Sequence, residues 1–299
     1  MKSKMQRKIL LIGKNGQLGH DLRQKLPSYG ELIAVGHEQL DLAARDDIRS
    51  VVRETRPDLI VNAAAYTAVD QAETDGEAAR QINAIAPGIL AEESKQVGAT
   101  LIHFSSDYVF DGKKTSPYDE SDYTNPLNVY GCTKLAGEVA IEQSAAAYLI
   151  FRTGWLYSMR GQNFLTTILR LARERKEIRV VNDQCGAPTW SQSVAEGTAK
   201  VVARLFESGG SSAGNEPFIV TGTYHLSAGG SATWFDFATA IVEHAESTIA
   251  ARIVPIPTAE YPTPARRPAY SVLSNSRISR EFGVCLPDWR TQLRRALQS

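Results

Sequence analysis

The apolar run Ile9-Leu10-Leu11-Ile12 leads straight into glycines at Gly13, Gly16 and Gly19, then into an amphipathic stretch from Asp21 to Leu26 that Pro27 stops. Apolar residues that do not alternate read as a strand buried on both faces, the signature of a parallel sheet. Strand, glycine turn and helix together make a nucleotide-binding unit. Glycines let the backbone approach a pyrophosphate, and the following helix start offers free N–H groups and a positive dipole end. The spacing is G-x-x-G-x-x-G, not the G-x-G-x-x-G of many dehydrogenases, so flanking structure carries the reading. A chain that begins this way is committed to an α/β layer fold.

The pattern repeats. Leu32 to Val35, Leu59 to Asn62, Thr100 to Ser106 and Tyr148 to Thr153 read as further buried strands, with helices about Asp46 to Thr55 and Gly76 to Val97 between them. Carboxyl ends of parallel strands face the ligand crevice. At those ends the chain places Ala63-Ala64-Ala65, small enough for a cofactor to lie against, and the hydroxyls of Ser105 and Ser106. No Asp or Glu follows the second strand at Gly36-His37, where NAD-selective units bind the adenosine ribose; this permits NADPH. His103, inside a strand, reads as a packed, hydrogen-bonded core residue.

Tyr130 and Lys134 stand four residues apart in Asn128-Val129-Tyr130-Gly131-Cys132-Thr133-Lys134. On a helix that spacing sets a phenol and an ammonium on one face. Bringing a tyrosine from ~10 to roughly 7 needs about 4 kcal/mol, near what one cation at ~4 Å supplies at an effective dielectric of ~20. Alone the pair is weak, because Y-x-x-x-K arises often by chance. With Ser106 at the neighbouring strand end and a dinucleotide cradle, the parts describe a reductase: two hydroxyls grip a carbonyl while hydride arrives from a nicotinamide.

The segments GKNGQLG, RPDLIVNAAAYTAVDQAE, HFSSDYVFDG, NPLNVYGCTKLAGE, LIFRTGWLY, NDQCGAPT, YHLSAGG and YPTPARRP span nearly the whole chain. In them the sequence resembles the extended short-chain dehydrogenase/reductases, and among these the dTDP-4-dehydrorhamnose reductases. The resemblance implies a Rossmann-type doubly wound parallel sheet with a smaller C-terminal α/β substrate-binding domain. We expect residues 1–153 to form the NAD(P)-binding Rossmann domain. Residues 154–299 would form mainly the sugar-nucleotide domain, with segments crossing back.

The resemblance implies reduction of the C4 ketone of dTDP-4-dehydro-β-L-rhamnose to dTDP-L-rhamnose, a surface polysaccharide precursor. It places Gly16, Gln17 and Leu18, between Gly13 and Gly19, at the cofactor phosphates, and Asp41 and Leu42 near adenine. Ala65, Tyr66 and Thr67 would line the cofactor, with Phe104 behind the nicotinamide. Tyr130 would be the proton donor, Ser106 the carbonyl-binding hydroxyl, and Lys134 the ribose ligand that lowers the tyrosine pKa. Ser106, Asp107, Trp155 and Arg266 would meet the substrate. NADPH is the expected cofactor, with NADH also allowed and Mg2+ implied by the resemblance alone. Many members carry Thr at the Ser106 position and an acid at the Gly36 position. A dehydratase would need a Glu where Tyr108 stands. A non-catalytic NAD(P)-binding subunit, such as the regulatory subunit of methionine adenosyltransferase, or a reductase or epimerase of another nucleotide deoxysugar, are the alternatives.

Thirty-three basic residues balance thirty-three acidic ones, leaving no bulk electrostatic case for nucleic acid or membrane. Three scattered cysteines fit a reducing compartment. The apolar run Ile9 to Ile12 is too short for a signal peptide, so a cytoplasmic location, with a homodimer allowed by the resemblance, is expected. Ser208 to Gly214 reads as a flexible surface insertion. Four prolines and two arginines in Tyr261 to Pro268 make a stiff, positively charged loop suited to a diphosphate.

Overall fold

A computed structural model describes residues 7–208, 221–245 and 251–299. The small-residue stretch expected as an insertion lies, beyond Ser208, outside the described residues.

Strand β1 (Lys8–Ile12) turns through Gly13 into α1 (Gln17–Lys25), and β2 (Glu31–Val35) follows. Helix α1 begins four residues before the amphipathic pattern suggested, at the glycine turn itself. Gly19 in its first turn weighs against a helix by propensity; packing overrides that cost. A Cβ on Gly19 would lie 1.9 Å from the Gly13 carbonyl oxygen, so only glycine lets the helix start close over the turn. Gly13 itself sits at φ +88°, where a Cβ would meet the Ala64 backbone nitrogen at 2.8 Å.

Helix α2 (Arg45–Thr55) leads to β3 (Leu59–Asn62), and the short α3 (Val69–Ala72) follows. Helices α4 (Gly76–Arg80) and α5 (Ala86–Val97) are joined by a π-turn over Gln81–Ile85. Such turns concentrate at functional sites; this one carries Asn83, which grips the backbone of Tyr66 through both amide atoms. Strand β4 (Thr100–Ser106), α6 (Val129–Gln143) and β5 (Ala147–Thr153) complete the first half.

The second half supplies β6 (Leu156–Tyr157), α7 (Phe164–Glu174), β7 (Glu177–Val181), β8 (Cys185–Gly186), β9 (Thr189–Trp190) and α8 (Ser191–Ser208). Then come β10 (Gly222–His225), β11 (Ala232–Thr233), α9 (Trp234–His244), β12 (Arg252–Ile256), α10 (Ser276–Phe282) and α11 (Trp289–Leu297). Strand β10 returns to pair in parallel with β5, so the central sheet has six parallel strands in the order β10-β5-β4-β3-β1-β2.

Both faces of that sheet are covered. One core joins Ile9, Leu11, Val61, Ile102 and Phe151 to Val194 and Val202 of α8 and to Tyr224. The other packs Leu10, Ile60, Leu101 and Ile150 against α2 and α5. Each such side chain buried is worth roughly 1.5–3 kcal/mol, which is why these strands are apolar without alternation. A third core, among Leu165, Ile168, Trp190, Phe237, Ile241 and Trp289, belongs to the later elements alone. The strand order reverses between β1 and β3, and crevices open at such switch points. The glycine turn and Ala63-Ala64 meet there.

Candidate active site

A cleft of about 350 Å³ opens at the carboxyl ends of β1, β3, β4 and β5. Gln17 and Leu18 from the start of α1, Ala65 and Thr67 after β3, and Phe104, Ser106 and Asp107 from β4 line it, with Tyr130, Lys134 and Trp155. The three expected catalytic side chains and part of the expected cofactor set thus line one cleft, although they are drawn from segments over a hundred residues apart. Asp41 and Leu42 stand away from the cleft. Leu42 is buried in the core beneath β2, and the Asp41 carboxylate accepts the Ala43 N–H. Tyr66 keeps its phenol on Asp75.

Helix α6 is aimed by the residue that caps it. The Asn128 side chain accepts the Gly131 N–H at 2.8 Å and donates to the Arg266 carbonyl at 2.8 Å, so one cap fixes both the helix and the proline-rich loop. Gly131 packs directly on Tyr108. One turn on, Lys134 is buried and donates to the Phe104 carbonyl at 2.6 Å. Ser106 donates to Asp107 at 3.1 Å and accepts the Tyr108 N–H at 3.1 Å. Burial pushes the Asp107 carboxyl up to about 6, against hydrogen bonds from Ser271 and Ser106.

The electrostatics of Tyr130 correct the expectation drawn from spacing. Tyr130 lines the cleft, and burial pushes its hydroxyl up to about 12. The Ser106 hydroxyl works against that shift and the Asp107 carboxylate adds to it. Lys134 does not pull it down. Its amine is turned to the Phe104 carbonyl, and burial lowers its own pKa to about 8 despite Glu138. Helical spacing puts two side chains on one face; it does not decide which partner the longer one takes.

Beside the cleft, and sharing Thr67, Tyr108, Phe164 and Trp234 with it, lies a larger cavity of about 500 Å³. Trp155, at φ +48°, stacks on Trp234 with centroids 3.4 Å apart and planes within 2°. Gln184 holds the Trp234 indole N–H at 3.2 Å and also lines the larger cavity. From the proline-rich loop, the arginine on that wall is Arg267, paired with Asp70 at 2.8 Å. Arg266 is exposed and lines neither cavity. Tyr108, Phe164 and Trp234 thus line both cavities without having been singled out for it in the sequence, and of the loop's two arginines it is Arg267 that lines the wall. For Arg267 the signal was present in the same loop; the stacking of Trp234 on Trp155 left none.

A doubly wound sheet, a glycine turn at its switch point and a Ser–Tyr–Lys set in one cleft define a Rossmann-type oxidoreductase of the extended short-chain dehydrogenase/reductase class. The profile of the family described as the RmlD substrate binding domain matches residues 7–299. A dTDP-4-dehydrorhamnose reductase of Burkholderia thailandensis is 47% identical over 289 residues, 95% of each chain. That of Escherichia coli K12 is 44% identical over 97% of this chain and 96% of its own. The crystal structure of the Bacillus anthracis dTDP-4-dehydrorhamnose reductase with NADP superposes at a TM-score of 0.90, with 35% identity, covering 98% of this chain and 99% of that one. The chain belongs to the dTDP-4-dehydrorhamnose reductase family. A Thermus thermophilus UDP-glucose 4-epimerase shares the fold at a TM-score of 0.79 with 17% identity over 97% of this chain and 98% of its own.

Proposed function

We propose that this protein reduces the C4 ketone of dTDP-4-dehydro-β-L-rhamnose with NADPH, giving dTDP-L-rhamnose. The observation that carries the reading is that Ser106, Tyr130 and Lys134 line the cleft onto which the glycine turn opens. The names of the relatives supply the substrate. Bound in that cleft, the reduced nicotinamide supplies hydride. Ser106 and Tyr130 grip the ketone oxygen, the Tyr130 phenol gives its proton to the developing alkoxide, and Lys134 holds the nicotinamide ribose. Phe104, buried under the cleft, backs the nicotinamide, and the larger cavity, with Arg267 and Arg179 on its wall, takes the nucleotide diphosphate.

The later elements with their own core serve as the sugar-nucleotide domain, while α8 and β10 belong to the Rossmann half. Among the described residues no helix is long and apolar enough to cross a membrane. Nor do any three His, Cys, Asp or Glu of the described residues stand where they could hold a metal. No step of this reading runs through magnesium.

The preference for NADPH is supported by Lys14. Its amine lies 2.8 Å from Gln39 and 3.4 Å from Glu38, just past the end of β2, where Rossmann cofactors set the adenosine ribose. Glu38 is tied to Lys14 and Asn15 instead of standing free to repel a 2′-phosphate. Lys14→Met is expected to raise the KM for NADPH roughly tenfold, about the worth of one charge-assisted hydrogen bond, while the KM for NADH moves little. Initial rates with each cofactor decide it, and equal changes for both would refute the assignment.

The main reading is tested by following NADPH absorbance with the dTDP-keto sugar, then with GDP- and UDP-linked analogues. Oxidation with the dTDP sugar is expected. A protein that binds NADPH but never oxidises it with any of these is not this reductase.

A further inference from the structure

The buried chain behind Lys134 has a hydrogen-bonding parity that its neighbours dictate. The Ala64 N–H points at the Asn62 Oδ1 at 3.2 Å. A backbone N–H can only donate, so the atom it meets is the amide oxygen, and the other end of Asn62 is its NH2. That NH2 lies 3.1 Å from the His103 Nδ1. It too can only donate, so Nδ1 is the bare acceptor and the ring hydrogen sits on Nε2. Nε2 lies 3.2 Å from the Lys134 Nζ. A neutral amine accepts that hydrogen while donating to the Phe104 carbonyl at 2.6 Å; an ammonium there meets N–H with N–H. All of Asn62, His103 and Lys134 are buried, so no bulk water relieves the conflict.

We propose that Asn62 and His103 form a positioning pair that holds the Lys134 amine on the Phe104 carbonyl and opposes its ammonium form. The pair rests on the reductase reading only for what Lys134 does in turnover. The surroundings agree. Lys134 has Tyr130 and Glu138 one turn away on its own helix, but Glu138 is engaged by Arg152 of β5 in a bidentate pair. Asp107, at the end of β4, faces Ser106 and Tyr130. His103 is itself held far from protonation by burial and by Lys134. A lysine with an opposing donor and an engaged carboxylate takes and gives a proton near neutral pH, as the burial-lowered value near 8 also indicates.

Two measurements test the pair. Nitrogen-15 spectra of the free protein, with the His103 signals assigned by their loss in His103→Gln, are expected to show hydrogen on Nε2 and none on Nδ1, the Nε2 resonance moving as Lys134 titrates. Hydrogen on Nδ1 would overturn the proposal, whether or not the variant is active, and comparison with other histidine variants assigns the signals if His103→Gln does not fold. In kcat/KM against pH, His103→Gln can turn its amide oxygen to the ammonium. The alkaline limb is then expected to move up by about one pH unit, with the thermal midpoint as a check on folding; a folded variant with an unmoved limb would also overturn it. If the parent protein reduces no nucleotide-linked keto sugar, the reductase reading fails and the resonance result decides the pair alone.

Discussion

Tyr130→Phe is expected to bind NADPH as the parent protein does and to lose roughly 10²–10⁴-fold in turnover, the worth of a positioned proton donor. The change removes one oxygen from a ring that packs edge-on against Tyr108 at 5.9 Å, so the walls of the cleft stay in place. A phenol pushed up to about 12 is not a poor donor for this task. The alkoxide that forms as hydride arrives is a stronger base, of an affinity comparable to hydroxide at ~16, so the transfer runs downhill. The raised value also keeps the phenol protonated throughout the neutral range, so its own ionisation cannot set the alkaline limb there. Lys134, near 8, is the group placed to do so. The checks are cofactor fluorescence for binding and NADPH absorbance for turnover. Retained turnover would remove Tyr130 from the role of donor.

The sheet was readable because burial on both faces leaves no choice of residue along Ile9 to Ile12 or Leu59 to Val61. The catalytic set was readable for a related reason: each member sits at a strand end or one helical turn from another, where period and spacing map onto space. The start of α1 was not, because Gly19 is there for a close contact with Gly13 that propensity cannot see. Nor was the state of Lys134. Its partner His103 comes from strand β4, 31 residues earlier, and reads on its own as a core histidine. It is one, and it also touches the lysine. The same holds for Arg267 against Arg266: in a proline-rich loop no period says which of two adjacent side chains turns inward, and the Asp70 carboxylate decides it.

The largest stability effect is expected at Glu138. Its carboxylate takes the Arg152 guanidinium at 2.6 Å and 3.0 Å, and both side chains are almost fully buried, at 2% and 7% exposure. The guanidinium also lies over the Phe110 ring at 5.2 Å. The pair clamps α6, the helix that carries Tyr130 and Lys134, to the carboxyl end of β5. Glu138→Ala strands a buried cation and is expected to cost about 3–5 kcal/mol, read from the midpoint of urea unfolding. Replacing both residues by apolar ones, Glu138→Leu with Arg152→Met, is expected to recover much of that, because the desolvation cost leaves with the charges. A cost under about 1 kcal/mol for the single change, the range of exposed pairs, would mean the guanidinium finds water. Glu138 also favours the ammonium of Lys134. In Glu138→Gln, where the amide keeps hydrogen bonds to Arg152, the alkaline limb should therefore move down, opposite in sign to His103→Gln. Two neighbours of one lysine, one favouring its proton and one opposing it, would then be separated by the direction of a single curve.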